Sequence, residues 1–230
     1  MSSESEELVV NCFDLDGTLY NLKGGSFTES PLSSDLGDQI QGFLDEEIPD
    51  SDIGEEEFWY AARKGYAGEI SLAVERLLEI PREEYFERTW GELEPQNYVE
   101  ETFSYQDLFN ELTSETNVLV TSAPEVWAKS LLSELEIEKY FSAIRTGEPE
   151  PRKPSSETFE QPIERALDSR KPYTIYFIGD QPSDFPESIR WDANTANVYV
   201  GKESPEGVKY TIENVMEFLE VRNLENSCRY

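Results

Sequence analysis

The chain has 230 residues, enough for one or two domains with a real core, and its charge is lopsided: 19 Lys and Arg against 49 Asp and Glu, a formal net charge of −30. So anionic a chain argues against nucleic-acid polymers and anionic membranes as partners, while 37% hydrophobic and 12% aromatic residues argue for a folded globule over an acidic disordered chain. There is no histidine, and the two cysteines are Cys12 and Cys228, which excludes His-based triads, His-ligated zinc, a CxxC motif and a disulfide framework, with a single bridge left open. Catalysis must then rest on carboxylates, lysine, hydroxyls and a hard metal.

Leu8 to Phe13 is a short apolar run closed by Asp14 and Gly17, which predicts a buried strand of a parallel sheet. Asn117 to Val120, Tyr173 to Ile178 and Asn197 to Val200 predict three more, and Ala143 to Thr146 a weaker one. Helical spacings separate them: Trp127, Leu131 and Leu135; Phe159, Ile163 and Leu167, with Pro162 disturbing the first turn or displacing the start; and Ile212, Val215, Met216 and Leu219. Strand–helix alternation predicts an α/β fold with a parallel, Rossmann-like sheet. From about Asn21 to Glu101 no strand is expected, only helical patterns at Leu36–Leu44, Phe58–Arg63, Ile70–Leu78 and Glu83–Trp90. Such a connection is too long for an ordinary crossover and predicts a separate helical domain over residues 21–101, inserted in a core of 1–20 and 102–230. The start, MSSESEE, lacks a basic leader and is expected to fray, and no apolar run approaches the ~18 residues of a spanning helix. A cytoplasmic, thiol-reducing setting is expected.

In an open parallel sheet, ligands gather beyond the carboxyl ends of the strands. There the sequence places Asp14, Asp16, Gly17 and Thr18; Thr121 and Ser122; Lys153, with Arg152 beside it; and Asp180 and Asp184. Clustered carboxylates repel unless a cation neutralises them, and oxygen ligands without His or Cys favour Mg2+. A Mg2+ held by a few carboxylates suits phosphate chemistry, with a carboxylate as covalent catalyst.

Four segments carry a resemblance. Phe13-Asp14-Leu15-Asp16-Gly17-Thr18-Leu19-Tyr20, Val118-Leu119-Val120-Thr121, Lys153-Pro154 with Glu157-Thr158-Phe159, and Gly179-Asp180-Gln181-Pro182-Ser183-Asp184 resemble, in order, the four motifs of the haloacid dehalogenase-like (HAD) phosphohydrolase superfamily. The resemblance implies Asp14 as nucleophile, forming an aspartyl-phosphate; Asp16 as acid and then base; and Thr121, Ser122 and Lys153 as phosphoryl-binding groups. It implies Mg2+ held by Asp14, the backbone carbonyl of Asp16, Asp180 and Asp184, the last completing the metal shell or orienting Lys153. A carboxylate at Asp16 favours phosphatase or phosphomutase chemistry over dehalogenation within that superfamily. The helical insertion stands where a class I cap is found. Leu19-Tyr20, Tyr60 to Tyr66 and Thr121-Ser122-Ala123-Pro124 resemble the pyrimidine 5′-nucleotidase-type branch, although Ser122 replaces the more usual Asn. The implied activity is Mg2+-dependent hydrolysis of a small phosphorylated metabolite such as a nucleoside monophosphate. A phosphoglycolate-type phosphatase, a sugar phosphomutase and a catalytically silent binding protein are the alternatives.

Plainer readings stand beside these roles. Asp184-Phe185-Pro186-Glu187 fits a capping box with Asp184 as N-cap, compatible with metal ligation, and Ser122 with Glu125 fits another. Phe58, Trp59 and Tyr66 are expected in the core of the helical insertion more than on a ligand, and Cys12 as buried packing. The acidity is spread along helix faces, with eight lysines against eleven arginines, which suggests a halophile's cytosol.

Overall fold

A computed structural model describes residues 8–66, 69–100, 103–168, 170–203 and 205–227. The acidic start, residues 1–7, and Cys228 lie outside these. Among the described residues the strands are β1 (Val9–Phe13), β2 (Asn21–Leu22), β3 (Val99–Glu100), β4 (Thr116–Val120), β5 (Ala143–Arg145), β6 (Thr174–Gly179), β7 (Asn194–Val200) and β8 (Tyr210–Ile212). The α-helices are α1 (Pro31–Glu47), α2 (Glu55–Gly65), α3 (Ile70–Ala73), α4 (Arg82–Thr89), α5 (Tyr105–Glu111), α6 (Glu125–Glu134), α7 (Ser156–Leu167) and α8 (Phe218–Ser227). The chain divides into two compact units: one holds the residues up to Asn21 and again from Glu100, the other is Leu22–Val99.

The first unit is built on a six-stranded sheet in the order β5-β4-β1-β6-β7-β8, parallel throughout. β1 lies between β4 and β6, with Cys12 opposite Val118 and Phe177, and Phe13 opposite Leu119 and Ile178. This is why the central strands read as unbroken apolar runs: both faces are covered. On one face Val10, Cys12, Val118, Val120, Ile175 and Phe177 pack on Phe159, Ile163 and Leu167 of α7. On the other, Phe13 meets Phe109 of α5 and Phe218 of α8 edge-on, both at 5.9 Å. Each such fully buried aromatic contributes about 2–3 kcal/mol. Cys12 is a buried free thiol, and burial pushes it up to about 12.

Two expected elements take different bounds. Ile212, expected in a helical stripe, ends β8 and pairs with Val200. The helix is held back by Asn214, whose side chain accepts Met216 N at 3.0 Å and starts a 3-10 turn, Val215–Glu217. Pro162 neither disturbs a first turn nor displaces the start; it sits buried in the middle of α7.

The second unit is a helical cluster. Pro31 and the Ser30 cap, which accepts Ser33 N, start α1. Leu32, Leu36, Phe43 and Leu44 of α1 are buried, as are Phe58 and Ala62 of α2, and Tyr85 and Phe86 of α4. Phe43 meets Tyr85 edge-on at 5.3 Å, and Arg88 lies over Phe43 while pairing with Glu46 at 2.8 Å and Glu47 at 2.5 Å. α3 runs on as a π-helical turn, Val74–Leu78, stopped by Glu79 in the left-handed region at φ 58°. The unit's ends stand side by side: Lys23 N donates to the Tyr98 carbonyl at 2.8 Å, and Lys23 Nζ reaches those of Gln96 and Asn97. There β2 and β3 form a two-stranded sheet, a pairing that the apolar pattern alone does not show.

Candidate active site

β1, β4 and β6 are neighbours and parallel, so their carboxyl ends deliver side chains to one edge. Beyond β1 the ladder continues one residue, Asp14 N donating to the Ile178 carbonyl at 2.8 Å, and then Thr18 and Leu19 N turn back on the Leu15 carbonyl. The turn needs Gly17, at φ 75°, where a Cβ would collide with the Asp180 carboxylate. Gly179 plays a matching part, its missing side chain making room for Asp184.

Lys153 is the electrostatic hub. Its side chain is 3% exposed, and Nζ lies 2.5 Å from Asp14 Oδ1 and 2.7 Å from Asp184 Oδ1. Arg145, at the end of β5, steadies the loop before it by donating to the carbonyls of Pro149 (3.0 Å) and Pro151 (2.8 Å) and to Gln161 Oε1 (2.6 Å). Asp184 lies in a 3-10 turn, Pro182–Asp184, and its Oδ2 accepts Gln181 N at 2.9 Å. Asp180 Oδ2 accepts the Gln181 amide at 3.0 Å, while its Oδ1 is buried without a partner. Thr121 is buried; its Oγ1 accepts Ala123 N at 3.0 Å and approaches Asp16 Oδ2 at 3.5 Å.

Burial sets the charge balance. It holds the Asp14 carboxyl well above the usual range, against the pull of Lys153. It raises Asp16, against hydrogen bonds from Tyr20 and Trp127, and lifts Asp180 to about 6. For Lys153 burial works against the charged form, but Asp14 and Asp184 outweigh it and the net direction is upward. One ammonium faces four carboxylates, so the edge has room for more positive charge. Asp14, Asp180 and Asp184 each offer an oxygen within 4.8 Å of the others, and Asp180 Oδ1 is a buried acceptor without a hydrogen-bond donor. This all-oxygen set fits a hard cation such as Mg2+.

Asp14, Asp16, Thr121, Lys153, Asp180 and Asp184 thus come together at one edge, by contact or through shared neighbours. Ser122 stands beside them with its side chain exposed. Both expected capping boxes are absent as drawn. Asp184 is the last residue of its turn, in a box whose N-cap is Gln181, and Phe185 beyond it is extended. The N-cap position of α6 is Pro124, and Glu125 N is taken by the Glu148 carboxylate, so Ser122 is not the cap. Two contacts escaped the motif reading: the Tyr20 hydroxyl donates to Asp16 Oδ1, and Trp127 Nε1 approaches the same oxygen at 3.4 Å. Trp127 carried only the signal of a helical core stripe.

Solved structures share this architecture. A 2-haloacid dehalogenase from Pseudomonas syringae pv. Tomato DC3000 aligns over 94% of this chain and 98% of its own, at 18% identity and a TM-score of 0.61. A HAD phosphatase from Thermococcus onnurineus aligns over 94% and 97%, at 19% identity and a TM-score of 0.58. The HAD-hydrolase YfnB from Bacillus subtilis aligns over 95% and 100%, at 15% identity and a TM-score of 0.55. At these identities the likeness is one of fold. No curated protein sequence matches. The family model for haloacid dehalogenase-like hydrolases matches residues 11–187, from within β1 to just past Asp184, and the chain belongs to that family.

Proposed function

We propose that the chain is a Mg2+-dependent phosphatase of small phosphorylated metabolites, acting through an aspartyl-phosphate. The observation that carries this reading is the pairing of two differently held carboxylates on one turn, Asp14 on Lys153 and Asp16 on hydroxyl and indole donors. Two carboxyls in unlike surroundings suit separate nucleophile and proton-transfer roles. Asp14 attacks phosphorus and the bond from phosphorus to the ester oxygen breaks, while Asp16 gives its proton to that oxygen. Asp16, now a carboxylate, takes a proton from water as the water attacks the phosphorus on Asp14, freeing phosphate. Lys153 offsets the charge of the transferring group, and Thr121 and Ser122 hydrogen-bond it. Asp14, Asp180, Asp184 and the Asp16 carbonyl would hold Mg2+, which supplies neutralising charge and polarises the phosphoryl oxygens. The Bacillus hydrolase is bound to magnesium in its solved structure, which supports the assignment.

Asp16 separates this reading from halide displacement, because a departing halide needs no proton and an alkoxide does. We assign catalysis to residues 1–20 and 102–230 and substrate selection to the helical unit. The resemblance of Leu19-Tyr20, Tyr60 to Tyr66 and Thr121-Ser122-Ala123-Pro124 to pyrimidine 5′-nucleotidases makes a nucleoside monophosphate the first substrate to try, and the acidity makes a salt-rich cytoplasm the setting. The test is phosphate release from p-nitrophenyl phosphate and from a panel of nucleotides, phosphoglycolate and sugar phosphates, with Mg2+, at low and molar KCl. Turnover that disappears in Asp14→Asn is expected; no turnover anywhere in the panel refutes the reading.

A further inference from the structure

Three side chains converge on Asp16. The buried Tyr20 donates its hydroxyl to Oδ1. Trp127, buried on α6, directs Nε1 at the same oxygen from 3.4 Å. Thr121 Oγ1 stands 3.5 Å from Oδ2, a long contact. The two carboxylate oxygens are therefore unequal: Oδ1 has the close Tyr20 hydroxyl and the Trp127 indole, whereas Oδ2 has the long Thr121 contact alone.

We propose that Tyr20 and Trp127 are positioning residues that anchor Asp16 Oδ1 and thereby confine proton exchange with the leaving group and with water to Oδ2. The proposal rests on Asp16 being the acid and base of the reaction described above. An aspartate's second side-chain torsion is broad and roughly two-fold, so an unanchored carboxylate swings and presents either oxygen. Protonating Oδ1 would require one of its two donors to leave. An indole N–H is a donor only, and a phenol with an ordinary pKa of about 10 keeps its proton in neutral solution, so neither group takes the proton that Asp16 exchanges. Both anchors are stiffly mounted. Trp127 is 1% exposed within α6, and Tyr20 is 1% exposed at the end of the first motif. Acid–base catalysis needs its proton within hydrogen-bond reach of the reacting oxygen, and fixing which oxygen carries it serves that end.

A purely structural account makes a different forecast. Buried Tyr and Trp seek partners for their polar ends in any core. Losing such a bond lowers stability without distinguishing one substrate from another.

The experiment compares the first chemical step, release of the phenol, for phenyl phosphate and p-nitrophenyl phosphate with Mg2+. The variants are Tyr20→Phe and Trp127→Phe. Phenolate is the more basic leaving group and leans on the proton from Asp16, whereas p-nitrophenolate leaves without it. The expected result is a fall of about tenfold or more with phenyl phosphate, part of the 10²–10⁴-fold that acid–base catalysis supplies, and under about threefold with p-nitrophenyl phosphate. KM stays within about twofold for both, since binding is not touched. Tyr105→Phe, which removes a neighbouring buried hydroxyl, changes neither rate. Equal falls for the two esters, or a loss of thermal stability with the rates unaltered, overturn the proposal. If Tyr20→Phe does not fold, Trp127→Phe carries the same comparison. Failure of the underlying reading looks different: the parent protein turns over neither ester, or Asp16→Asn fails to slow phenyl phosphate more than its nitro analogue.

Discussion

Replacing Lys153 by Met removes the ammonium and keeps the length of the side chain. Nζ sits 2.5 and 2.7 Å from two carboxylates, and the three side chains are 3%, 8% and 4% exposed, so solvent screening is slight. Removing one partner of a buried ion pair costs about 3–5 kcal/mol. Counting hydrogen bonds leads to a similar figure, since two bonds to charged groups contribute about 1.5–3 kcal/mol each. A loss of about 4 kcal/mol lowers Tm by about 8–16 °C in a chain of this size. Two routes of relief follow. Lys153 opposes the upward pull of burial on Asp14, so its removal lets the folded-state pKa of Asp14 rise further. A carboxyl whose folded pKa exceeds its unfolded value gains stability as pH falls through the folded pKa, so the deficit of Lys153→Met shrinks in acid and widens toward alkaline pH. Both proteins share any general relief of the −30 charge, and the difference between them isolates the site. Added Mg2+, bound by the exposed charge of the folded variant, shrinks the deficit too. Urea titrations followed by tryptophan fluorescence, at several pH values and with EDTA or MgCl2, measure all of this. A loss below about 1 kcal/mol, or one indifferent to both pH and Mg2+, refutes the reasoning.

Gly17→Ala forces a left-handed alanine costing about 1–2 kcal/mol and drives a methyl group into Asp180, so Mg2+ affinity measured by calorimetry falls with Tm; unchanged affinity contradicts the account. Burial lifts Asp180 to about 6, and a metal needs the charged form, so Mg2+ affinity weakens by about tenfold per pH unit below that value; Asp180→Asn removes this contribution, leaving that of Asp14, and costs at least about tenfold in affinity. Arg145→Met frees the loop ahead of Lys153, with kcat expected to fall about tenfold and stability by about 1–2 kcal/mol; a loss of stability with full kcat would leave Arg145 a purely structural clamp. Activity and stability rise from dilute buffer to molar KCl, where the Debye length is about 3 Å and the net charge no longer repels an anionic substrate; equal behaviour in both solvents counts against adaptation to salt.

The parallel sheet was readable because its strands are buried on both faces, and an unbroken apolar run such as Thr174–Gly179 is the imprint of that burial. β8 was not, since three residues, Tyr210–Ile212, are too few to distinguish a strand from the first turn of the helix that follows. The carboxylates and Lys153 were legible from position, as charges beyond the ends of apolar strands. The pairing of Lys153 with Asp14 was not, because it spans 139 residues of sequence, whereas its contact with Asp184 was one of the two roles that the resemblance implied for that aspartate. Trp127 shows the deeper reason: one side chain fills the core with its rings and reaches Asp16 with its nitrogen, and periodicity registers only the first.

The clamped ends of the helical unit bear on how the sheet assembles. β1 and β4 pair directly, yet roughly a hundred residues separate them along the chain, and closing such a loop carries an entropic cost of (3/2)RT ln n. Once the helical unit has folded with Lys23 against Tyr98, the path from β1 to β4 shortens to about thirty residues, which lowers that cost by about 1 kcal/mol. The insertion then acts as a splint. Once folded, it brings the strand that leads into Asp14 within easy reach of the strand that leads into Thr121.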